Sequence, residues 1–355
     1  MSTDERVRTA IANWAPRFIA NGVDLNDFQA VTQRAESWDD WCHEWSICGA
    51  THAALGEEAE AQDCFESAAQ HFFQASMAYH FGKFLFVHDL AQLRMAHEQT
   101  VLLYQRALPF FEFPGERVEI PFEGNPPIVG ILRKPWHTPK PPVVILVPGL
   151  DSVKEELHLY GNDFLRRGMA VLAIDGPGQG ELEFSVPMRS DYEIPVSHVI
   201  DFIEKRADLD GRRVGLFGVS LGGYYAARAV SFERRLISAI ALAGPYGVAD
   251  EFQRMPGLTR AAFVRRVHAS DEAGALEKLT AFTLAGVLHD GVCPLLIIMG
   301  RQDRIVSPHE AERMAHDAGS AATLWMFDDG NHVCNNIPYR HRPQQADWMR
   351  HRLSI

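Results

Sequence analysis

Three side chains far apart in the 355-residue sequence, Ser220, Asp303 and His332, are of the types that together make a nucleophile. A serine hydroxyl is a poor nucleophile at neutral pH until a base removes its proton, and an imidazole is an effective base once a carboxylate fixes its tautomer. Ser220 stands in Gly218-Val219-Ser220-Leu221-Gly222-Gly223, directly after the apolar run Val214-Gly215-Leu216-Phe217. The pattern reads as strand, sharp turn, helix, with glycines where a Cβ would collide with the neighbouring strand or helix. Asp303 follows the apolar run 295–299 in Gly300-Arg301-Gln302-Asp303, and Asp328 and Asp329 are alternative acids. Of the 16 histidines, His332 is the one just past the last apolar run, 323–327, in Gly330-Asn331-His332.

Such residues meet only if the elements before them lie side by side. From 115 onward, short apolar runs alternate with helical patterns: a hairpin over 117–133, then strands at 143–147, 169–175, 214–219, 236–243, 295–299 and 323–327, with helices over 155–167 and 192–207 among them. Strands interleaved with helices build a mostly parallel sheet covered on both faces, with all strand ends of one sense on one edge. A mostly helical excursion is expected over 244–291. Gly176, Gly178 and Gly180 are spaced G-x-G-x-G, which fits a tight turn and not a dinucleotide fingerprint. Before about residue 108 strand signals are nearly absent. Val7, Ile11, Trp14 and Phe18 form one helical stripe, and Trp38, Trp41, Trp45 and Cys48 form another. Small residues then alternate with aromatics as in packed helix pairs, without a clean repeat of about 34 residues. Pro109 and Pro114-Gly115 break the pattern, which divides the chain into a helical unit, 1–114, and an α/β unit, 115–355.

The net charge of −12 argues against a nucleic-acid groove or an anionic membrane surface, both of which need clustered Lys and Arg. Five cysteines, an odd number without metal-ligand spacing, fit reduced thiols in the cytoplasm, with no metal and no cofactor. The charged start of the chain and the lack of any apolar run near the ~20 residues of a membrane helix predict neither export nor insertion.

The chain order serine, acid, histidine, each after a strand, is that of the α/β-hydrolase fold. In that fold the oxyanion hole uses the backbone N–H of Leu221, directly after the nucleophile, and one from the loop after strand 143–147, here Leu150. Further motifs narrow the resemblance: Pro148-Gly149-Leu150-Asp151-Ser152 with Lys154-Glu155-Glu156, Asp175-Gly176-Pro177-Gly178-Gln179-Gly180, the Ser220 turn, and the ends at Asp303 and His332. With these the chain resembles the 2,6-dihydroxypseudooxynicotine hydrolase group of bacterial α/β-hydrolases, over nearly its whole length. The resemblance implies cleavage of a carbon–carbon bond next to a ketone, a small aromatic ketone as substrate, a helical N-terminal lid and a homodimer. It also implies that Glu251, in Ala249-Asp250-Glu251-Phe252, binds or protonates the substrate. Read without the resemblance, Glu251 is a solvated carboxylate at a helix start, and Lys154 and Glu155 are structural. Ser220 either forms an acyl-enzyme or assists attack by water. Two other classes fit the same residues: a carboxylesterase or lactonase, and a helical protein-docking module attached to a degenerate hydrolase.

Overall fold

The computed structural model describes residues 4–289 and 292–354. The chain divides into Met1–Glu116 and Arg117–Ile355. The last two residues of the excursion expected over 244–291, and the first three of the helical unit expected over 1–114, lie outside the described residues, as does Ile355.

Among the described residues the first unit holds five α-helices, α1 (Glu5–Ala20), α2 (Leu25–Arg34), α3 (Trp38–Ala61), α4 (Phe65–Lys83) and α5 (Leu90–Ala107). Side-chain caps fix the starts of all but α4: Asp4 accepts the Arg6 amide at 2.8 Å, and Ser37 and Asp40 form a reciprocal capping box at the head of α3. Trp38, Trp41 and Trp45, spaced for one helical face, are all fully buried. Phe18 stacks on Phe81 with ring centroids 4.0 Å apart, and Trp41 donates its indole N–H to the Phe81 carbonyl at 3.0 Å. The small residues among the aromatics set the helix spacing: a Cβ on Gly49 would lie 2.6 Å from the Tyr79 ring, so α3 and α4 approach through that gap.

Among the described residues the second unit is built on eight strands, the first of which starts two residues before the division: β1 (Gly115–Phe122), β2 (Asn125–Arg133), β3 (Pro142–Val147), β4 (Ala170–Asp175), β5 (Asp210–Val219), β6 (Leu236–Leu242), β7 (Leu295–Gly300) and β8 (Ala322–Phe327). They lie in the order β1-β2-β4-β3-β5-β6-β7-β8. β2 pairs antiparallel with β4, while the pairs from β4 through β3, β5, β6 and β7 to β8 are parallel. β3 and β4 are buried along their whole length, which is why they read as continuous apolar runs. The helices are α6 (His158–Leu165), α7 (Glu193–Glu204), α8 (Leu221–Phe232), α9 (Val248–Phe252), α10 (Gly257–Arg266), α11 (Glu272–Leu279), α12 (Pro308–Ala318) and α13 (Pro338–Arg352). The helix expected over 155–167 instead begins as a 3₁₀ turn, Lys154–Leu157, and continues as α6. There the Lys154 amide is taken by the Asp175 carboxylate at 2.8 Å, so the chain tightens before the helix starts.

α9, α10 and α11 form the excursion between β6 and β7. It is tied to the turn after β4 by a buried Arg266–Glu183 ion pair and by the Met188 amide, which donates to the Arg266 carbonyl at 2.8 Å. Because β3 to β8 run in one sense, the loops after β3, β5 and β7 and the segment after β8 open on a single edge of the sheet.

Candidate active site

Ser220 joins β5 to α8 at φ 55° and ψ −122°, a backbone conformation that ordinary residues avoid. Two glycines make room for it. A Cβ on Gly218 would strike the Gly222 carbonyl, and one on Gly222 would lie 2.7 Å from the Pro148 carbonyl. The serine is held by its own backbone: its N–H donates to the Leu242 carbonyl at 2.7 Å, and its carbonyl accepts from Gly223 at 2.7 Å.

The structure brings Ser220, His332 and Asp303 into one hydrogen-bonded chain. His332 Nε2 lies 3.0 Å from Ser220 Oγ, and His332 Nδ1 lies 2.7 Å from Asp303 Oδ2. Asp303 and His332 are buried, and Ser220 is half-buried. The other Asp303 oxygen accepts the amides of Ile305 at 2.8 Å and Val306 at 2.9 Å. Asp328 and Asp329, the alternative acids, face solvent and pair instead with Arg301 and Arg340. The His332 turn is closed by Asn331 and Asn336: the Asn331 amide donates to Asn336 Oδ1 at 2.9 Å, and Asn336 Nδ2 donates to the Asp329 carbonyl at 2.7 Å. Burial pushes the Cys334 thiol up to about 12, so no competing thiolate stands two residues past His332.

Leu221 opens α8, where first-turn amides have no intrahelical acceptor. Leu150 follows Gly149, whose α-carbon lies against the nucleophile: a Cβ there would stand 3.1 Å from Ser220 Cβ. Both sequence-derived oxyanion positions therefore flank the elbow.

Glu251 is buried on α9, not solvated as a plain helix-start carboxylate would be. One oxygen accepts the Ser307 amide at 3.3 Å and the other meets Arg254 at 3.2 Å, which ties the residue to the loop that carries Asp303. Burial, followed by the neighbouring Glu310 charge, raises its pKa above the ordinary carboxylate range. Glu310 carries no sequence signal beyond being an acid in the first turn of a helix. It is buried on α12 and accepts the Tyr246 and Gly247 amides at 3.0 Å each, which holds the segment leading into α9.

Lys154 is fully buried among three acids, with Nζ 2.7 Å from Glu155 and 2.8 Å from both Asp175 and Glu181. Desolvation alone would lower its pKa; the carboxylates outweigh it, and the net shift is upward. Cys48 does fall in ligand-like company, contrary to the sequence expectation: its thiol, Asp27 and His52 place donor atoms within 4.8 Å of one another. His52 Nε2 and the Asp27 carboxylate already satisfy each other at 2.8 Å, a polar contact between α2 and α3. The glycine cluster forms a tight turn in which the Gly178 amide donates to the Val186 carbonyl at 2.9 Å.

The strand order, the strained serine turn and the loops at one sheet edge define an α/β-hydrolase. The family model "Esterase FrsA-like" matches residues 29–324. The chain belongs to this FrsA-like family, and it is a hydrolase. The 2,6-dihydropseudooxynicotine hydrolase of Paenarthrobacter nicotinovorans is 31% identical over 345 residues, covering 95% of this chain and 90% of that protein. A crystal structure of 2,6-dihydroxy-pseudo-oxynicotine hydrolase matches with a TM-score of 0.88 at 28% identity over 96% of each chain. The 20-hydroxy-prefusarin hydrolase of Gibberella moniliformis is 33% identical over 63% of this chain and 57% of its own length. Among the described residues no helix is long and apolar enough to cross a membrane.

Proposed function

We propose that this hydrolase cleaves, without a cofactor, the carbon–carbon bond beside the ketone of an aryl ketone such as 2,6-dihydroxypseudooxynicotine, giving a dihydroxylated ring and a carboxylic acid. The reading rests on the hydrogen-bonded chain from Ser220 Oγ through His332 to Asp303, with its two links of 3.0 and 2.7 Å. Similarity to the nicotine-pathway enzyme over both its sequence and its fold supports the substrate class.

In this mechanism His332 Nε2 takes the proton of Ser220 as Oγ bonds to the ketone carbon, and the carbonyl electron pair moves to oxygen. The oxyanion is met by the Leu221 and Leu150 amides. Its collapse restores the carbonyl and breaks the C–C bond; the ring carbon leaves with the bonding pair and takes the proton of Glu251. The acyl group stays on Ser220. The proton on His332 restores Glu251 through solvent; water, deprotonated by His332, then adds to the acyl carbon, and collapse breaks the bond to Ser220 Oγ, which takes the proton back from His332 as the acid leaves. A carbon leaving group needs a proton donor that an ester does not, and a carboxyl whose pKa is raised by burial is suited to the task. The helical unit, residues 1–114, is assigned to substrate selection on the same resemblance.

Turnover of 2,6-dihydroxypseudooxynicotine with identification of both products by mass spectrometry tests the reading. Ser220→Ala abolishes that turnover, and residual activity within about tenfold of the parent refutes the nucleophile assignment. The family's esterase description favours one other reading, a carboxylesterase acting through the same three residues. Hydrolysis of simple esters with no cleavage of aryl ketones selects it.

A further inference from the structure

Gln179 is fully engaged and almost wholly buried, and nothing in the mechanism above uses it. Its side-chain amide donates to the Pro148 carbonyl at 2.7 Å and to the Gly149 carbonyl at 3.1 Å. Its carbonyl oxygen accepts from the Gly176 amide at 3.1 Å and from the Tyr192 phenol at 2.7 Å. The orientation of the amide is unambiguous, because Gly176 N–H can only donate and the two loop carbonyls can only accept. Tyr192 is itself fixed, stacked on Tyr225 of α8 with ring centroids 3.9 Å apart.

The two loop carbonyls belong to the turn after β3, the turn that supplies an oxyanion donor in the mechanism above. In a trans peptide the C=O of one residue and the N–H of the next point in opposite directions. A side chain that anchors the Gly149 carbonyl therefore also sets the direction of the Leu150 N–H. We infer that Gln179 is a positioning residue that holds the Pro148-Gly149-Leu150 turn with the Leu150 amide turned toward the oxyanion, an inference that rests on Ser220 being the nucleophile. Without the two donors from Gln179, the Gly149–Leu150 peptide is free to rotate its N–H out of place. A pre-aimed donor acts where charge develops in the transition state, so its loss falls on kcat and not on binding.

The test uses the full chain, p-nitrophenyl butyrate as substrate and a fluorophosphonate probe. In the parent the probe labels Ser220; a parent that is not labelled overturns the nucleophile reading and this inference with it. With the parent labelled, Gln179→Met, which keeps the bulk and removes all four hydrogen bonds, is expected to lower kcat about 10- to 100-fold and slow labelling in parallel, with KM within about twofold. A folded Gln179→Met with kcat and labelling rate within about twofold of the parent overturns the positioning role and leaves the nucleophile reading standing. A rise in KM at unchanged kcat also overturns it. Should Gln179→Met fail to fold, Tyr192→Phe carries the test, since it frees one side of the Gln179 amide: a kcat loss of about three- to tenfold at constant KM supports the inference, and unchanged kcat overturns it.

Discussion

Asp303 holds His332 with one carboxylate oxygen and its own loop with the other: Oδ2 is 2.7 Å from Nδ1, while Oδ1 accepts the Ile305 and Val306 amides at 2.8 and 2.9 Å. The backbone donors fix which oxygen faces the ring, so the carboxylate draws the proton to Nδ1 and leaves the Nε2 lone pair toward Ser220. In Asp303→Asn the amide oxygen keeps the two backbone donors and the NH₂ turns to the imidazole. That donor forces Nδ1 to accept, puts the proton on Nε2 and removes the base. The expected result is a kcat loss of about a thousand- to ten-thousandfold with the melting temperature nearly unchanged. A loss under about tenfold would show that another acid serves the ring.

The buried Glu251 carboxyl gives a pH signature. Its folded-state pKa is raised by burial and by Glu310, so between the ordinary carboxylate range and that raised value it stays protonated in the folded chain while the unfolded chain has ionised. Activity that needs the acid form falls as pH rises through the folded pKa. Glu251→Gln is expected to slow aryl-ketone cleavage by about 100-fold or more and to abolish that alkaline limb, while changing p-nitrophenyl ester hydrolysis by less than about threefold. Equal losses on both substrates count against proton donation. Stability follows the same sign: the penalty of ionising Glu251 is absent at low pH and grows as pH rises through the folded pKa, so the Gln variant gains stability relative to the parent on the alkaline side.

The sheet and the Ser220 turn were legible because local chemistry dictates them. Glycine on both sides of a strained serine and unbroken apolar runs for doubly buried strands leave few alternatives, and the order of Ser220, Asp303 and His332 then follows from strand ends on one edge. The supporting shell was not legible. Gln179 reaches back to Pro148, and Glu310 reaches the amides of Tyr246 and Gly247. Side chain to backbone bonds across such separations leave no periodicity to read. The 3₁₀ start at Lys154 was hidden for the same reason, since it depends on Asp175 capturing an amide from another strand's end.

The Lys154 cluster predicts a pH-dependent defect. One fully buried ammonium stands among the buried Asp175 and Glu155 and the half-buried Glu181, which also pairs with Arg117, so Lys154→Met leaves two buried carboxylates uncompensated at a cost of about 3–5 kcal/mol. Without the ammonium Glu155, whose pKa burial already raises against the pull of Lys154, holds its proton more tightly still in the folded chain than in the unfolded one. Folding then takes up protons, and stability is lost as pH rises. Denaturant titrations should find the variant's deficit smaller at pH 5 than at pH 8. A deficit equal at both values would mean that the acids are relieved some other way, by water or by rearrangement.

In the helical unit, Trp41 does two separable jobs. Its ring is fully buried, 5.1 Å from Trp38 and 6.0 Å from Trp45 between ring centroids, and its N–H serves the Phe81 carbonyl. Phe81 lies in the last turn of α4, where carbonyls lack intrahelical donors, so the indole caps that helix from α3. Trp41→Phe retains most of the apolar contact but strips the cap, at a cost of about 1–3 kcal/mol. Trp41→Ala loses the ring as well and is expected to cost about 3–5 kcal/mol. Thermal unfolding of the two variants separates the contributions: equal losses would assign the whole effect to the hydrogen bond, and a Phe variant as stable as the parent would assign it to packing alone.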